Sequence, residues 1–406
     1  MSAQPGTLPM PFDDEFYADP YRAYAKLNDT APIHRISTPS GAAVWLLTGY
    51  DEVRDGLKDK RLARHQSHAG PDYQQDVIPG PMRVSNLMTE DQPEHTRLRK
   101  FMNFAFLPKR VEALRPRMRE VVEASLDELE HNGKGDLMSI LAAPLPITMI
   151  SAILGVPEED REDFRGWVDG LFGGTPDSAR DAGIAMVTYL TGLVGRKRGE
   201  PDDGLISYWI TGGEDGTGGT GGSAEGGMTD QEIIGMAFVL LFGGYDTTFG
   251  MIGAGALALL SRPEVLDRVR NDPESMSRVV EELLRYYGTA HTGVRRFATE
   301  DLTIGGVTVP KGDTVLLSIA AANRDARHFA DPDILDVDRS NLSHHVAFGR
   351  GPHHCPGSEL SRMEIENALD ALIRRFPDLK LAVAPESVQW RPSFIFRVPL
   401  ALPVVV

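Results

Sequence analysis

Between Ile233 and Leu260 the sequence reads IIGMAFVLLFGGYDTTFGMIGAGALALL, an apolar run with one charged residue, Asp246. A stretch of this length and composition has to be hidden from water, in a bilayer or in a protein core. Asp246, Thr247 and Thr248 sit in its middle and no basic cluster flanks it, which argues against a membrane span. Thr229 and Glu232 have the spacing of a capping box at its start, and Pro263 follows its end. The expected structure is a buried central helix, and a large, mostly helical protein is needed to surround one. Gly243 and Gly244 lie inside the run, where each glycine costs about 1 kcal/mol against alanine. That cost calls for a reason: a widened helix turn against a bound group, or close packing.

The remaining sequence can supply the surround. The 406 residues are 41% hydrophobic and 25% charged, with a net charge of -16. So acidic a balance argues against general affinity for nucleic acid or anionic lipid. A single cysteine excludes an internal disulfide framework, as in a reducing compartment. The opening MSAQPGTLPMPFDDEFYADPYRAY has neither a basic n-region nor an apolar h-region. No secretion signal or membrane anchor is expected there, and the cytoplasm is the expected location.

Along the chain, Ala43–Thr48 reads as a strand that turns into a helix. Residues 65–90 lack a clean period, carry three prolines and read as a long functional loop. From Asp91 the pattern is mostly helical, with an interruption at Pro116 and a break near Gly155-Val156-Pro157. Residues 212–227, GGEDGTGGTGGSAEGG, read as a flexible surface loop. The G-x-G-x-x-G at Gly216–Gly221 lacks a strand before it and a helix opening within it, so it is glycine-rich filler and not a dinucleotide fingerprint. PESMSRVVEELLRYYG is a helix, EDLTIGGVTVPKGDTVLL a β-hairpin followed by a strand, and SVQWRPSFIFRVPLALPVVV a set of short β segments. The sum is a mainly α chain with small β-sheets.

The lone cysteine sits in FGRGPHHCPGSELSRMEIENAL. A buried structural thiol is the commonest fate of a free cysteine, but it leaves Gly349, Gly351 and Gly357 unexplained. Zinc is a second reading, since His344, His345, His353, His354 and Cys355 lie within twelve residues, though structural zinc sites usually hold several cysteines. A cysteine hydrolase is a third, without its family signatures. A haem thiolate is the fourth: glycines let the backbone approach a flat macrocycle, and a helix N-terminus stabilises a thiolate. That helix has Leu360, Met363, Leu369, Leu372, Ile373 and Phe376 as expected buried positions and ends at Pro377.

The segment resembles the haem-binding loop of cytochrome P450 enzymes, F-G-x-G-x-[HR]-x-C-x-G, through Phe348, Gly349, Gly351, His353, Cys355 and Gly357. Leu360 and Arg362 fit the bacterial extension, with Ser361 where alanine is usual. Glu282 and Arg285 resemble the family's E-x-x-R structural pair, alone an ordinary helix ion pair. Asn323, Arg324, Asp325, Phe329, Pro332 and Arg339 resemble the stretch leading to the family's meander, with Leu335 for the usual phenylalanine. Gly243, Gly244, Tyr245, Asp246, Thr247 and Thr248 resemble its oxygen-activation motif, where bulky Tyr245 is expected to point away from the pocket. His95 and Arg99 in DQPEHTRLRK, Arg296 in GVRRFATED, and His353 occupy the places of the residues that pair with the haem propionates.

The resemblance implies one P450 domain over residues 1–406, a triangular prism with a long central helix over the haem. It implies a monooxygenase that binds haem b through Cys355, uses O2, and draws electrons from NAD(P)H through a ferredoxin and its reductase. A thiolate ligand pushes electron density onto iron and favours O–O cleavage, with Asp246 and Thr247 as the proton relay. Leu87, Met88, Phe238, Val239, Phe242, Ala290, His291, Val294, Phe394 and Ile395 are the implied pocket walls, for a sizeable apolar metabolite of polyketide or macrolide type. His291 reads equally as a hydrogen-bond partner of substrate or as a structural histidine. Arg97, Arg99, Lys100, Lys109, Arg110, Arg115, Arg117 and Arg119, opposed locally by Glu112 alone, read as a docking face for the acidic donor or as a solvated helix face. A monomer is expected. Two alternatives stay open: a peroxide-driven peroxygenase, against which Asp246 and Thr247 argue, and a non-catalytic haem- or zinc-binding protein.

Overall fold

The computed structural model describes residues 8–71, 73, 85–173, 176–212 and 228–406. Most of the glycine-rich stretch, residues 213–227, and residues 72 and 74–84 of the 65–90 loop lie outside the described residues.

The capping box forms in both directions. Glu232 accepts from the Thr229 N–H at 2.8 Å, and the Thr229 hydroxyl accepts from the Glu232 N–H at 3.3 Å. From it runs the helix Asp230–Leu260, about 46 Å long at the standard rise. By length and composition it could cross a membrane, yet most of it is buried inside the protein. Pro144–Leu154, Pro176–Gly199, Met276–Tyr286 and Ser358–Arg375 pack around it. Apolar side chains therefore point outward from the helix in every direction and still find a partner.

Proline sets the break between the two helices after residue 107. Leu114 alone separates Pro108–Ala113 from Arg115–Asn132, and Pro116 sits in the first turn of the second, where its missing N–H is harmless. The expected break near residue 155 occurs at Gly155, left-handed at φ +79°. Two helices that the sequence pattern does not announce, Pro176–Gly199 and Leu205–Thr211, are tied in through buried Met186, Leu190, Leu193 and Trp209.

Among the described residues, ten short strands make three sheets. The largest has the order β1 (Ile33–Ser37), β2 (Ala43–Leu47), β8 (Thr314–Leu317), β5 (Arg296–Ala298) and β3 (Leu62–Ala63). Only β2 and β8 pair in parallel. The expected hairpin is β6 (Leu302–Ile304) with β7 (Val307–Val309). β4 (Lys134–Asp136), β10 (Pro403–Val405) and β9 (Lys380–Leu381) form the third sheet. The chain is mainly α with small sheets, as its sequence pattern requires.

Glu282 and Arg285 are completely buried and bound side by side through two hydrogen bonds of 2.7 Å. Arg285 also donates to the carbonyls of Asn323, Pro332 and Ile334, and Glu282 accepts from the Asp336 N–H. The pair thus fastens its helix to the Asn323–Arg339 stretch, which leads into the cysteine loop.

Candidate active site

The loop before the Ser358–Arg375 helix turns sharply at Gly349 (φ +67°) and Gly351 (φ +75°), a region that side chains other than glycine rarely adopt. At Gly351 a Cβ would also come within 3.2 Å of the Leu57 carbonyl oxygen. These two glycines are therefore required by the turn itself. The turn is closed by the Cys355 N–H donating to the Phe348 carbonyl at 2.9 Å. Burial pushes the Cys355 thiol above its ordinary value, although the Gly357 N–H, Arg99 and Arg362 pull the other way. The Gly357 N–H thus acts on the thiol in the direction expected of a helix N-terminus, with burial opposing it.

Cys355 opens into a cavity of about 950 Å³. The central helix forms the opposite wall. Its two glycines serve different ends. A Cβ on Gly243 would meet nothing within 4 Å, while one on Gly244 would lie 2.8 Å from Ile150 Cδ1. Gly243 lines open space, and Gly244 permits close packing of two helices. The Thr247 hydroxyl donates back to the Gly243 carbonyl at 2.6 Å and lines the cavity. Asp246 faces away from it, fully buried, and accepts from Arg391. Tyr245 points away from the cavity as expected, its hydroxyl donating to Asp169 at 2.9 Å.

Of the implied pocket walls, Leu87, Met88, Val239, Phe242, Ala290, Val294, Phe394 and Ile395 line the cavity. Phe238 and His291 do not. Phe238 is buried in the core behind the wall. His291 is wedged against Tyr21 and Tyr24, with its Nε2 3.4 Å from the Tyr21 hydroxyl and its backbone N–H on the Ile395 carbonyl. It is a structural histidine, held neutral by burial and by Arg397 and Arg324.

Basic groups gather at another part of the cavity. His95, Arg99, His353, Phe348, Gly349 and Gly357 line it, and the His95 and His353 rings stand 4.0 Å apart. Burial, Arg99 and Arg64 push His95 down to about 4, and His353 lower still. Burial and the neighbouring arginines thus favour the neutral form of both imidazoles. Arg99 donates to Asn103 and to the His354 carbonyl. Arg296 does not reach the wall: its guanidinium donates to the Leu62 and Leu57 carbonyls, 3.0 and 3.2 Å away. Among the described residues, His95 Nε2 and Arg296 Nε are buried without a partner.

The zinc reading finds no gathered ligands. His344 pairs with His328, His345 with Glu281, and His353 with His95. Among the described residues no three His, Cys, Asp or Glu side chains converge on one point. The basic segment is also partly neutralised. Arg97 binds Glu94 and Glu232, Arg115 binds Glu112, and Arg117 binds Glu120 and Glu158. Lys100, Lys109 and Arg119 remain exposed.

Residues 219–394 match the family model described as cytochrome P450. The chain is 40% identical to the cytochrome P450 monooxygenase PikC of Streptomyces venezuelae, over 96% of this chain and 92% of that one. The chain belongs to the cytochrome P450 family. It is 38% identical to 6-deoxyerythronolide B hydroxylase of Saccharopolyspora erythraea, over 96% of this P450 and 97% of the relative. The structure of the tirandamycin C-bound P450 monooxygenase TamI superposes with a TM-score of 0.88 at 36% identity, covering 98% of this P450 and 99% of that chain. The fold is the P450 fold, and this P450 is a monooxygenase of secondary metabolism, an oxidoreductase that works with haem iron and O2.

Three residues of this P450's site escaped the sequence reading. Arg391 lies in QWRPSF, with no pattern to tie it to a helix 145 residues away. Glu364 looks like one more acid on a charged helix, yet its carboxyl is buried at the cavity, with Oε1 unpartnered among the described residues. Arg64 sits on the cavity wall beside the two histidines.

Proposed function

We propose that this P450 binds haem b through Cys355 and inserts one oxygen atom into a sizeable apolar metabolite of polyketide or macrolide type, by hydroxylation or epoxidation. The observation that carries the reading is the pairing, in one cavity, of a lone thiol with a cluster of arginines and histidines, several of whose buried nitrogens lack partners among the described residues. That donor set fits an iron porphyrin: one soft ligand for the metal and an excess of N–H donors for two carboxylates.

When bound, the haem supplies the activation of dioxygen. The chain's own residues do the rest. Cys355 would ligate the iron, and His95, Arg99 and His353 would hold the carboxylates, with Arg296 behind the wall adding its charge. Phe348, Gly349 and Gly357 form the floor on the thiol side. Thr247 presents a hydroxyl at the cavity surface, anchored on Gly243, where it can hold a water and pass a proton. Asp246, one residue away, is held by Arg391 facing away from the cavity and would deliver a proton toward Thr247 by turning out of that pair. Leu87, Met88, Val239, Phe242, Ala290, Val294, Phe394 and Ile395 exclude water and orient an apolar substrate.

P450s of this kind take electrons from redox partners. A ferredoxin with its reductase, fed by NAD(P)H, is the proposed chain, and Lys100, Lys109 and Arg119 are exposed where an acidic donor can dock. We read residues 1–406 as one domain, because cavity walls come from Arg35 to Phe396, and the protein as a cytoplasmic monomer.

The test is the CO difference spectrum of the reduced protein. A thiolate-type Soret band is expected, and Cys355→Ser should abolish it. A band at the imidazole-haem position, or purified protein without haem, would refute the reading. A spin-state titration against macrolides and linear polyketides then identifies the substrate class.

A further inference from the structure

Arg64 has no part in the reading above. It follows β3, and its backbone N–H, with that of His65, is held by the Asp91 carboxylate at 2.9–3.0 Å. The carboxylate nearest to it thus serves the main chain. Among the described residues the guanidinium makes one hydrogen bond, from Nη1 to the Met88 carbonyl at 3.1 Å, and its Nε is buried with no partner. Around it stand Arg99, Arg296, His95 and His353, and the anions acting on this group are Asp91 and, through Arg296, Asp59. A guanidinium stays charged in proteins, so burying it beside other arginines is unfavourable unless an anion joins them. Its affinity for its proton is nonetheless pulled well down by burial and by Arg296, a measure of how poorly the protein alone compensates it. Arg64 lines the cavity together with Arg99, His95 and His353, whereas Arg296 lies behind the wall.

We propose that Arg64 is a direct ligand of a haem carboxylate, standing on the cavity wall in front of Arg296. The inference rests on the haem reading but not on any activity. The permanent charge that offsets two carboxylates comes from arginines, and Arg64 and Arg99 are the two of them on the wall near the His95 and His353 rings.

In Arg64→Gln, transfer of haem from the ferric protein to excess apomyoglobin should quicken about tenfold, the worth of one charge-assisted hydrogen bond. The midpoint potential of the haem should fall, because propionate charge is less compensated. Arg64→Lys, which keeps the charge, should restore most of the potential. Equal haem transfer and equal potential in folded Arg64→Gln would overturn the proposal. So would a change confined to the binding of carboxylate-bearing substrates, which would assign Arg64 to substrate. If Arg64→Gln holds no haem, Arg64→Lys decides: haem-loaded protein supports the role, and folded but empty protein refutes it. The thiolate-type CO band, read on the same samples, reports separately on Cys355.

Discussion

Arg391 reaches from the C-terminal segment to Asp246 on the central helix, its Nη1 lying 2.9 and 2.7 Å from the two carboxylate oxygens. Asp246 is fully buried, and burial pushes its carboxyl above the ordinary range while the guanidinium draws it back. Arg391→Ala removes the counter-charge and leaves a buried carboxyl unpaired. Unfolding stability should drop by about 3–5 kcal/mol, read by chemical denaturation. Adding Asp246→Asn to that variant should recover part of the loss, because the charge to be buried is gone. An additive double variant would show that the contact has no energetic coupling.

Thr247 is bound to the Gly243 carbonyl and presents its oxygen to the cavity. Thr247→Ala should fold and take up haem normally. Product formed per electron pair consumed should fall, and the rate of product formation should drop about a hundredfold, the lower range for a lost proton-transfer group. Thr247→Ser should retain most of the coupling. Unchanged coupling in Thr247→Ala would remove the hydroxyl from the proton path.

Two glutamates should respond to pH in opposite senses. Burial lifts Glu364 well above its ordinary value of 4.5, and the Thr248 hydroxyl offsets this only in part. The folded state then holds a proton that the unfolded chain has released. Its penalty is absent below pH 4.5 and grows as pH rises toward the folded value. Glu364→Gln should therefore gain stability over wild type as pH climbs from 4.5 to neutrality, and match it below.

Glu281 runs the other way. His345 at 2.9 Å and Arg362 at 2.5 Å hold it down to about 2, against the pull of burial. Its stabilisation is complete above pH 4.5 and is lost as pH falls toward 2. Glu281→Gln should melt below wild type at pH 6, and the gap should close on acidification. Melting curves across that range check both glutamates.

The Glu282–Arg285 pair is buried on both sides, and its outer hydrogen bonds end on main-chain carbonyls. Glu282→Ala should cost about 3–5 kcal/mol, since it strands a charged guanidinium in the core. Circular dichroism and haem content should report loss of the loop around Cys355, because the Asn323–Arg339 stretch is what the pair secures.

What the sequence determined by itself is local. A capping box, an apolar run and a following proline are interactions within a few residues of each other, so the central helix and its start could be read from the string. The cysteine loop was legible for the same reason: its glycines answer to backbone angles at Gly349 and Gly351. What only the tertiary structure decided concerns facing and long-range pairing. A helix that is apolar all round carries no pattern to say that Val239 lines the cavity and Phe238 does not. His291 could be placed against Tyr21 only once residues 270 positions apart were brought together. Asp246 found its partner 145 residues away, and two arginines of the basic segment, Arg97 and Arg117, are taken up by Glu232 and Glu158. Charges act over a few ångströms of space, and sequence distance does not measure that.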